Sequence, residues 1–355
     1  MKKVFSFGFG KGSRRGWSGY ILRSLSVEKS VKIQNTQKID MCGIYFHAKN
    51  SNCSCFSDQD QTKVLQLNRN RGPNAEKRVD RQSQNWNLQF NGFLLWLRGS
   101  SPQVQPLVQE NGDVLLWNGD AFNDAQLNTN ETSDTEIIAQ RLSKASSEDE
   151  ILKVFAQLEG PGAFVFFCQR FNTVWFGRDI LGRHSLLIDV QPCHCILTSV
   201  AFRDSAFSEV EALGIYQMDL EVNSTMIALS PWANWKSVSQ STFQLYPSIQ
   251  SILSKELSSE KLGKVYSSIQ QYLDCPEGAD YVHQLQCNLE VAVSERMQAQ
   301  PKLCKNCCLK PKKEHSACSH CKTAILFSGG LDSTILALLA AKQFGNEPFL
   351  ILKSI

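Results

Sequence analysis

Between residues 93 and 200 the sequence repeatedly lays down an apolar run of strand length and closes it with a turn signal. That rhythm restricts the fold more than any other feature. Phe93 to Arg98 and Val114 to Gly119 are such runs. Ala163 to Cys168, Thr173 to Phe176, Ser185 to Val190 and His194 to Val200 follow at the spacing of sandwiched sheets. Two helices interrupt the series. Ser133 with Glu136 makes a capping box ahead of Ile137, Ile138 and Leu142, and Ser147 with Glu150 makes another ahead of Ile151, Leu152, Val154 and Phe155. Residues 42–235 are therefore expected to form sandwiched sheets with helices set between the strands.

A chain of 355 residues exceeds what one core usually organises, so more than one domain is expected. The net charge of +3 gives the whole molecule no electrostatic footprint for nucleic acid or membrane. No run reaches the roughly 18–20 apolar residues of a membrane-spanning helix. Thirteen cysteines, an odd count without a secretory apolar segment, point to reduced thiols and a cytoplasmic setting rather than a disulfide framework. Residues 1–41 form a basic extension, with Lys2, Lys3, Lys11, Arg14, Arg15, Arg23, Lys29, Lys32 and Lys38 against Glu28 and Asp40. It reads as a disordered tail or as sequence upstream of a start at Met41. The alternative is a mitochondrial presequence, which is likewise basic, Ser-rich and poor in acids.

Five motifs then occur in a telling order: Met41-Cys42-Gly43-Ile44, Arg71-Gly72-Pro73, Trp117-Asn118-Gly119-Asp120, Ser133-Asp134-Thr135-Glu136, and Gly177-Arg178-Asp179-Ile180-Leu181-Gly182-Arg183. Together they resemble the class II glutamine amidotransferases, and within them the asparagine synthetase family. The resemblance runs from Met41 to Ile355 and implies an α+β N-terminal-nucleophile sandwich, two antiparallel sheets between helices. It implies that Cys42 attacks the side-chain amide of glutamine, releasing ammonia and leaving a thioester for water to hydrolyse to glutamate. An ordinary thiol is mostly protonated at neutral pH, and in this family the cysteine's own α-amino group, with a pKa near 7.7–8.0, is the base. The Asn118 side chain and the Gly119 N–H would form the oxyanion hole.

Arg98 would grip the ligand's α-carboxylate, with Arg71 as the competing arginine, and Asp134 would take its ammonium. Plainer roles stand beside these. Gly119 also suits a turn at a strand end, and Asp134 suits the first turn of a helix, where a carboxylate favours the helix dipole. Asn74 stands where the family usually has aspartate. His47, His184 and His194 are given no catalytic role.

Residues 236–322 begin as a Ser- and Gln-rich junction and regain helical spacing from Ala279 to Gln298 through Val282, Leu285, Leu289 and Val293. Cys304, Cys307, Cys318 and Cys321 then form two CxxC pairs about a Lys- and Pro-rich spacer. The spacing suits a structural Zn2+ knuckle, and the alternative is an unmetallated basic insertion.

Residues 323–355 read as strand, Gly-rich turn, helix and strand. The turn, Ser328-Gly329-Gly330-Leu331-Asp332-Ser333, resembles the pyrophosphate loop of ATP pyrophosphatases, the PP-loop. Backbone N–H groups freed by the glycines, together with a helix N-terminus, suit phosphate. The resemblance implies that Ser328, Gly329, Gly330 and Ser333 contact ATP, that Asp332 fixes the loop or assists Mg2+, and that aspartate is the ammonia acceptor. An α/β domain needs several such units, so a truncated synthetase domain is expected. The expected function is that of a glutamine-dependent, asparagine-synthetase-like amidotransferase; the alternative is a non-catalytic scaffold that keeps the fold.

Overall fold

The computed structural model describes residues 41–51, 58–96, 101–122, 133–191, 193–212, 214–220, 229–234, 268–298, 307, 323–344 and 350–353. They fall in two units, one holding the described residues up to 234 and the other those from 268.

The first unit opens with β1 (Gly43–Asn50), α1 (Asp58–Arg71), β2 (Ala75–Ser83), β3 (Trp86–Leu94), β4 (Leu107–Val108) and β5 (Val114–Gly119). After α2 (Asp134–Lys144) and α3 (Glu148–Ala156) come β6 (Gly162–Cys168), β7 (Thr173–Arg178), β8 (Leu187–Gln191), β9 (His194–Thr198), β10 (Ser208–Glu209), β11 (Gly214–Asp219) and β12 (Leu229–Asn234). One antiparallel sheet has the order β10-β8-β9-β1-β3-β2 and the other β12-β11-β7-β6-β5-β4.

Because side chains alternate along a strand, each sheet feeds two layers. Ile44, Phe46, Phe90, Val114, Leu116, Val165, Phe167 and Leu197 fill the space between the sheets. On the outer face of the second sheet, Leu115, Trp117, Phe164 and Trp175 pack under Ile138 and Leu142 of α2 and Ile151 and Phe155 of α3. Tyr45, Phe93 and Ile196 meet Val64 of α1 on the outer face of the first. The layers run helix, sheet, sheet, helix, the sandwich expected from the strand rhythm.

Both helix caps form, with Ser133 and Ser147 accepting from the N–H groups of Glu136 and Glu150 at 3.3 Å each. The second box closes differently from expectation. The Glu150 carboxylate accepts the Ser146 N–H at 2.6 Å, one residue before the cap.

Of the described residues in the apolar run that starts at Phe93, only Phe93 and Leu94 are strand, the end of a longer β3 that begins at Trp86. The next two N–H groups go to side chains instead, Leu95 to Cys42 Sγ at 3.3 Å and Trp96 to Asn74 Oδ1 at 2.8 Å. Likewise β8 begins at Leu187, since the Ser185 hydroxyl turns away to donate to the Ser199 carbonyl at 2.7 Å. The cysteines also depart from a wholly reduced set. Cys168 and Cys195 are buried free thiols, whereas Cys193 is disulfide-bonded.

His47 lies on the outward face of β1, buried, with its ring edge-on to His194 at 5.6 Å. Burial, reinforced by His194 and Lys49, pushes its pKa down from 6.5 to about 3. The folded state keeps this ring neutral while the unfolded chain protonates it. The associated stability is complete above pH ~6.5 and is lost toward pH ~3, at about 1.4 kcal/mol per pH unit. Urea unfolding followed by tryptophan fluorescence should show a midpoint that falls between pH ~6.5 and ~4.5, and His47→Gln should flatten that fall. Equal pH slopes in the two proteins would contradict the assignment.

The second unit contains α4 (Ile269–Leu273), α5 (Pro276–Gln298), β13 (Ala324–Phe327), α6 (Leu331–Phe344) and β14 (Leu350–Lys353). α5 begins earlier than Ala279, since proline is pre-set for a first helical position. Val282 and Leu285, expected on a packed face, are exposed. β13 and β14 pair in parallel across α6, and Lys342 of α6 pairs with Glu290 of α5 at 2.8 Å. Among the described residues no helix is long and apolar enough to cross a membrane.

Candidate functional site

The period of two that puts Ile44 and Phe46 between the sheets places Cys42 on the same side, just ahead of β1. The same period carries Val114 and Leu116 on to Asn118 near the end of β5. Facing strands thus deliver both residues to one end of the sandwich. A cavity of about 290 Å³ opens there, lined by Cys42, Leu95, Trp96, Asn118, Gly119, Asp120, Asp134 and His184 among others.

The Cys42 thiol is held by one residue of the opposite wall. Sγ accepts the Leu95 N–H at 3.3 Å and lies 3.6 Å from the Leu95 carbonyl. Asn74 keeps that wall in place, donating its N–H to the Leu94 carbonyl at 2.9 Å and accepting from Trp96 at 2.8 Å. Asparagine presents the same Oδ1 that an aspartate would, so the departure at this position preserves the contact. Arg71, the last residue of α1, directs Nε to the Cys42 carbonyl at 3.4 Å, and its Nη2 is buried without a hydrogen-bond partner among the described residues.

Asn118 is buried, and its Nδ2 has no hydrogen-bond partner among the described residues. Gly119 pairs with Gly162 of β6, and a Cβ at 119 would lie 2.4 Å from the Pro161 carbonyl oxygen and 2.7 Å from the Trp117 ring. Close approach therefore requires glycine there, whatever else its N–H does. Asp134 accepts the Ala121 N–H at 3.1 Å and the Thr135 N–H at 2.8 Å. It ties the first turn of α2, where the sequence places it, to the segment that leaves β5.

Burial drives the Cys42 pKa up to about 11, with the charges of Asp120 and Asp134 raising it further and the Leu95 N–H and Arg71 pulling the other way. Asp120, the last residue of the Trp117-Asn118-Gly119-Asp120 motif and given no role from sequence, lies on the cavity wall, where its charge acts on the thiol.

The motif from Gly177 to Arg183 builds the wall from behind. Arg178 donates Nε to the His184 carbonyl at 2.8 Å and Nη1 to the Val210 carbonyl at 2.9 Å. Asp179 accepts the Gly162 N–H at 3.1 Å and the Arg183 N–H at 3.0 Å. These bonds fix the loop that carries His184 to the cavity, where burial lowers its pKa. His47 and His194 lie elsewhere, on the first sheet's outer face.

Of the sequence-derived residues, Cys42, Asn118, Gly119 and Asp134 share this cavity, while Arg98 lies outside the described residues. So do Cys304, Cys318 and Cys321. Cys307 is half-buried, and the described residues contain no group of three or more His, Cys, Asp or Glu able to hold a metal. In the second unit, Gly329 takes φ +87° and space is open around it. Ser328 Oγ accepts the Gly330 N–H at 3.3 Å, and Ser333 Oγ donates to the Gly330 carbonyl at 3.0 Å.

No family model matches the chain. It is 30% identical over 360 residues to "Asparagine synthetase domain-containing protein 1" of Homo sapiens, covering 87% of this chain and 54% of that one. It is also 30% identical over 336 residues to "Asparagine synthetase domain-containing protein CG17486" of Drosophila melanogaster, covering 87% of this chain and 58% of that one. The chain is a relative of the asparagine synthetase domain-containing proteins. It spans a little over half the length of these two curated relatives.

Among solved structures, a glutamine phosphoribosylpyrophosphate amidotransferase from B. subtilis, complexed with ADP and GMP, is 15% identical with a TM-score of 0.41, covering 88% of this chain and 65% of that one. An allosteric regulatory enzyme of purine biosynthesis is 16% identical with a TM-score of 0.41, covering 54% and 49%.

Proposed function

We propose that the first unit hydrolyses the side-chain amide of glutamine, with Cys42 as nucleophile, as the glutaminase half of an asparagine-synthetase-like amidotransferase. One observation carries the reading: facing strands bring to the same small cavity a thiol and a buried amide donor, Asn118 Nδ2, that has no hydrogen-bond partner among the described residues.

In this reading Sγ attacks the amide carbon and its proton passes through the α-amine of Cys42 to the departing ammonia. Asn118 Nδ2 and the Gly119 N–H hold the oxyanion, and water then releases glutamate from the thioester. Asp120 and Asp134 face the ligand's ammonium. Its carboxylate requires a guanidinium, which Arg98 supplies, with Arg71 the alternative from beneath Cys42. The open space at Gly329 and the turn into α6 fit a phosphate group, and Ser328, Gly329, Gly330, Asp332 and Ser333 would hold ATP and its Mg2+ there. Bound ATP would supply activation of a carboxylate, that of aspartate, for attack by the ammonia. The zinc knuckle remains a separate proposal on the four cysteines.

The test is stoichiometric release of glutamate and ammonia from glutamine by a chain beginning at Cys42. Release no faster than in a heat-denatured control would reject the reading. A second reading, a non-catalytic scaffold, is favoured by the thiol pKa of about 11 in a chain where Met41 is still bonded to Cys42.

A further inference from the structure

We propose that Gln105 is a positioning residue that aims the Asn118-Gly119 donors, an inference that rests on the glutaminase reading above. β4 pairs Leu107 with Leu115 on β5, so continuing the antiparallel register sets Pro106 opposite Leu116 and Gln105 opposite Trp117. Proline has no N–H to give a ladder. The side chain of Gln105 takes over: Trp117 N–H donates to its Oε1 at 2.6 Å, and its Nε2 donates to the Trp117 carbonyl at 2.8 Å. One side-chain amide thus acts as a strand partner for both backbone groups of the residue before Asn118.

The backbone of Gln105 also presses on the other sheet. A Cβ on Gly92 would lie 2.4 Å from the Gln105 carbonyl oxygen, and Gly92 of β3 pairs with Ile44, two residues from the thiol. Gln105 is buried and lines the cavity. It therefore locks the strand carrying the donors against the sheet carrying the nucleophile. N–H groups alternate sides along a strand, so the Gly119 N–H shares the edge that Gln105 fixes at Trp117. A small rotation of the Trp117 peptide would turn that donor away from a developing oxyanion, which demands placement within a few tenths of an ångström.

The experiment uses the full chain from Cys42 with Gln105→Met, which removes both bonds at similar volume, and Gln105→Glu, which keeps the acceptor and loses the donor. Amide exchange at Trp117 should accelerate at least ~10-fold in Gln105→Met while Leu115 is unchanged. The kcat for glutamine should fall about 10–100-fold with KM shifted less than about 3-fold, and Gln105→Glu should lie between. If Gln105→Met does not fold, Gln105→Glu is read in its place. Unchanged Trp117 exchange, or unchanged kcat in an active parent, overturns the proposal. An inactive parent rejects the glutaminase reading instead, and exchange at Trp117 then decides the clamp by itself.

Discussion

Cys42→Ala, made in a chain that begins at residue 42, is expected to lower glutamate release from glutamine by at least ~10³-fold. Two features of the cavity set that size. In the proposed reaction the thiol supplies the attacking atom, and no second nucleophilic thiol lies among the described lining residues. Burial also pushes the Cys42 thiol pKa up, so the thiol works only through a base beside it. Alanine retains the strand and loses two contacts of Sγ with one residue, the N–H and the carbonyl of Leu95. The melting temperature should therefore move by only a few degrees, and coupled detection of glutamate against circular-dichroism melting separates lost chemistry from lost fold. Residual turnover within ~10-fold of the parent would place the reaction elsewhere.

Asn118→Ala is expected to cost about 10²–10³ in kcat with little change in KM, the usual effect of removing one oxyanion donor. Its effect on stability should be unusually small for a buried polar residue. Nδ2 has no hydrogen-bond partner to lose among the described residues, so truncation removes an unsatisfied donor along with a few packed atoms. Activity and stability should thus separate at this position. Steady-state kinetics and urea unfolding on the same preparation check it. A proportional loss of both would mark Asn118 as a packing residue. Asn118→Asp should be at least as severe, because it adds a third carboxylate beside Asp120 and Asp134.

The central strands were legible because they are buried on both faces and spell continuous apolar runs, as in Gly162–Cys168 and Val114–Gly119. α1 and β2 were not singled out. From α1 a core cluster takes Val64, with Leu65 half-buried against it, and β2 is an edge strand carrying Glu76, Lys77, Arg78, Asp80 and Arg81, charges that discourage edge pairing. The run read as a strand from Phe93 holds only the last two residues of β3, because Leu95 and Trp96 are as apolar as a strand, while their N–H groups go to a thiol and an asparagine distant in sequence.

Within the site, Cys42, Asn118, Gly119 and Asp134 were legible through motif order. Gln105 was not, because its role depends on register: a glutamine before a proline has no special signature until β4 and β5 are paired. Asp120 was visible as a letter of a motif but acquired its position on the cavity wall only from the turn between β5 and α2.

The central claim is that Cys42 acts as an N-terminal nucleophile whose α-amine is its base, and the state of that amine tests it most directly. Glutamate release should be measured for two otherwise identical chains, one beginning at Cys42 and one with Asp40-Met41 still attached. The account predicts turnover in the first and at least a ~10²-fold slower rate in the second, where the base is tied up in a peptide bond. Equal rates in the two chains would contradict it.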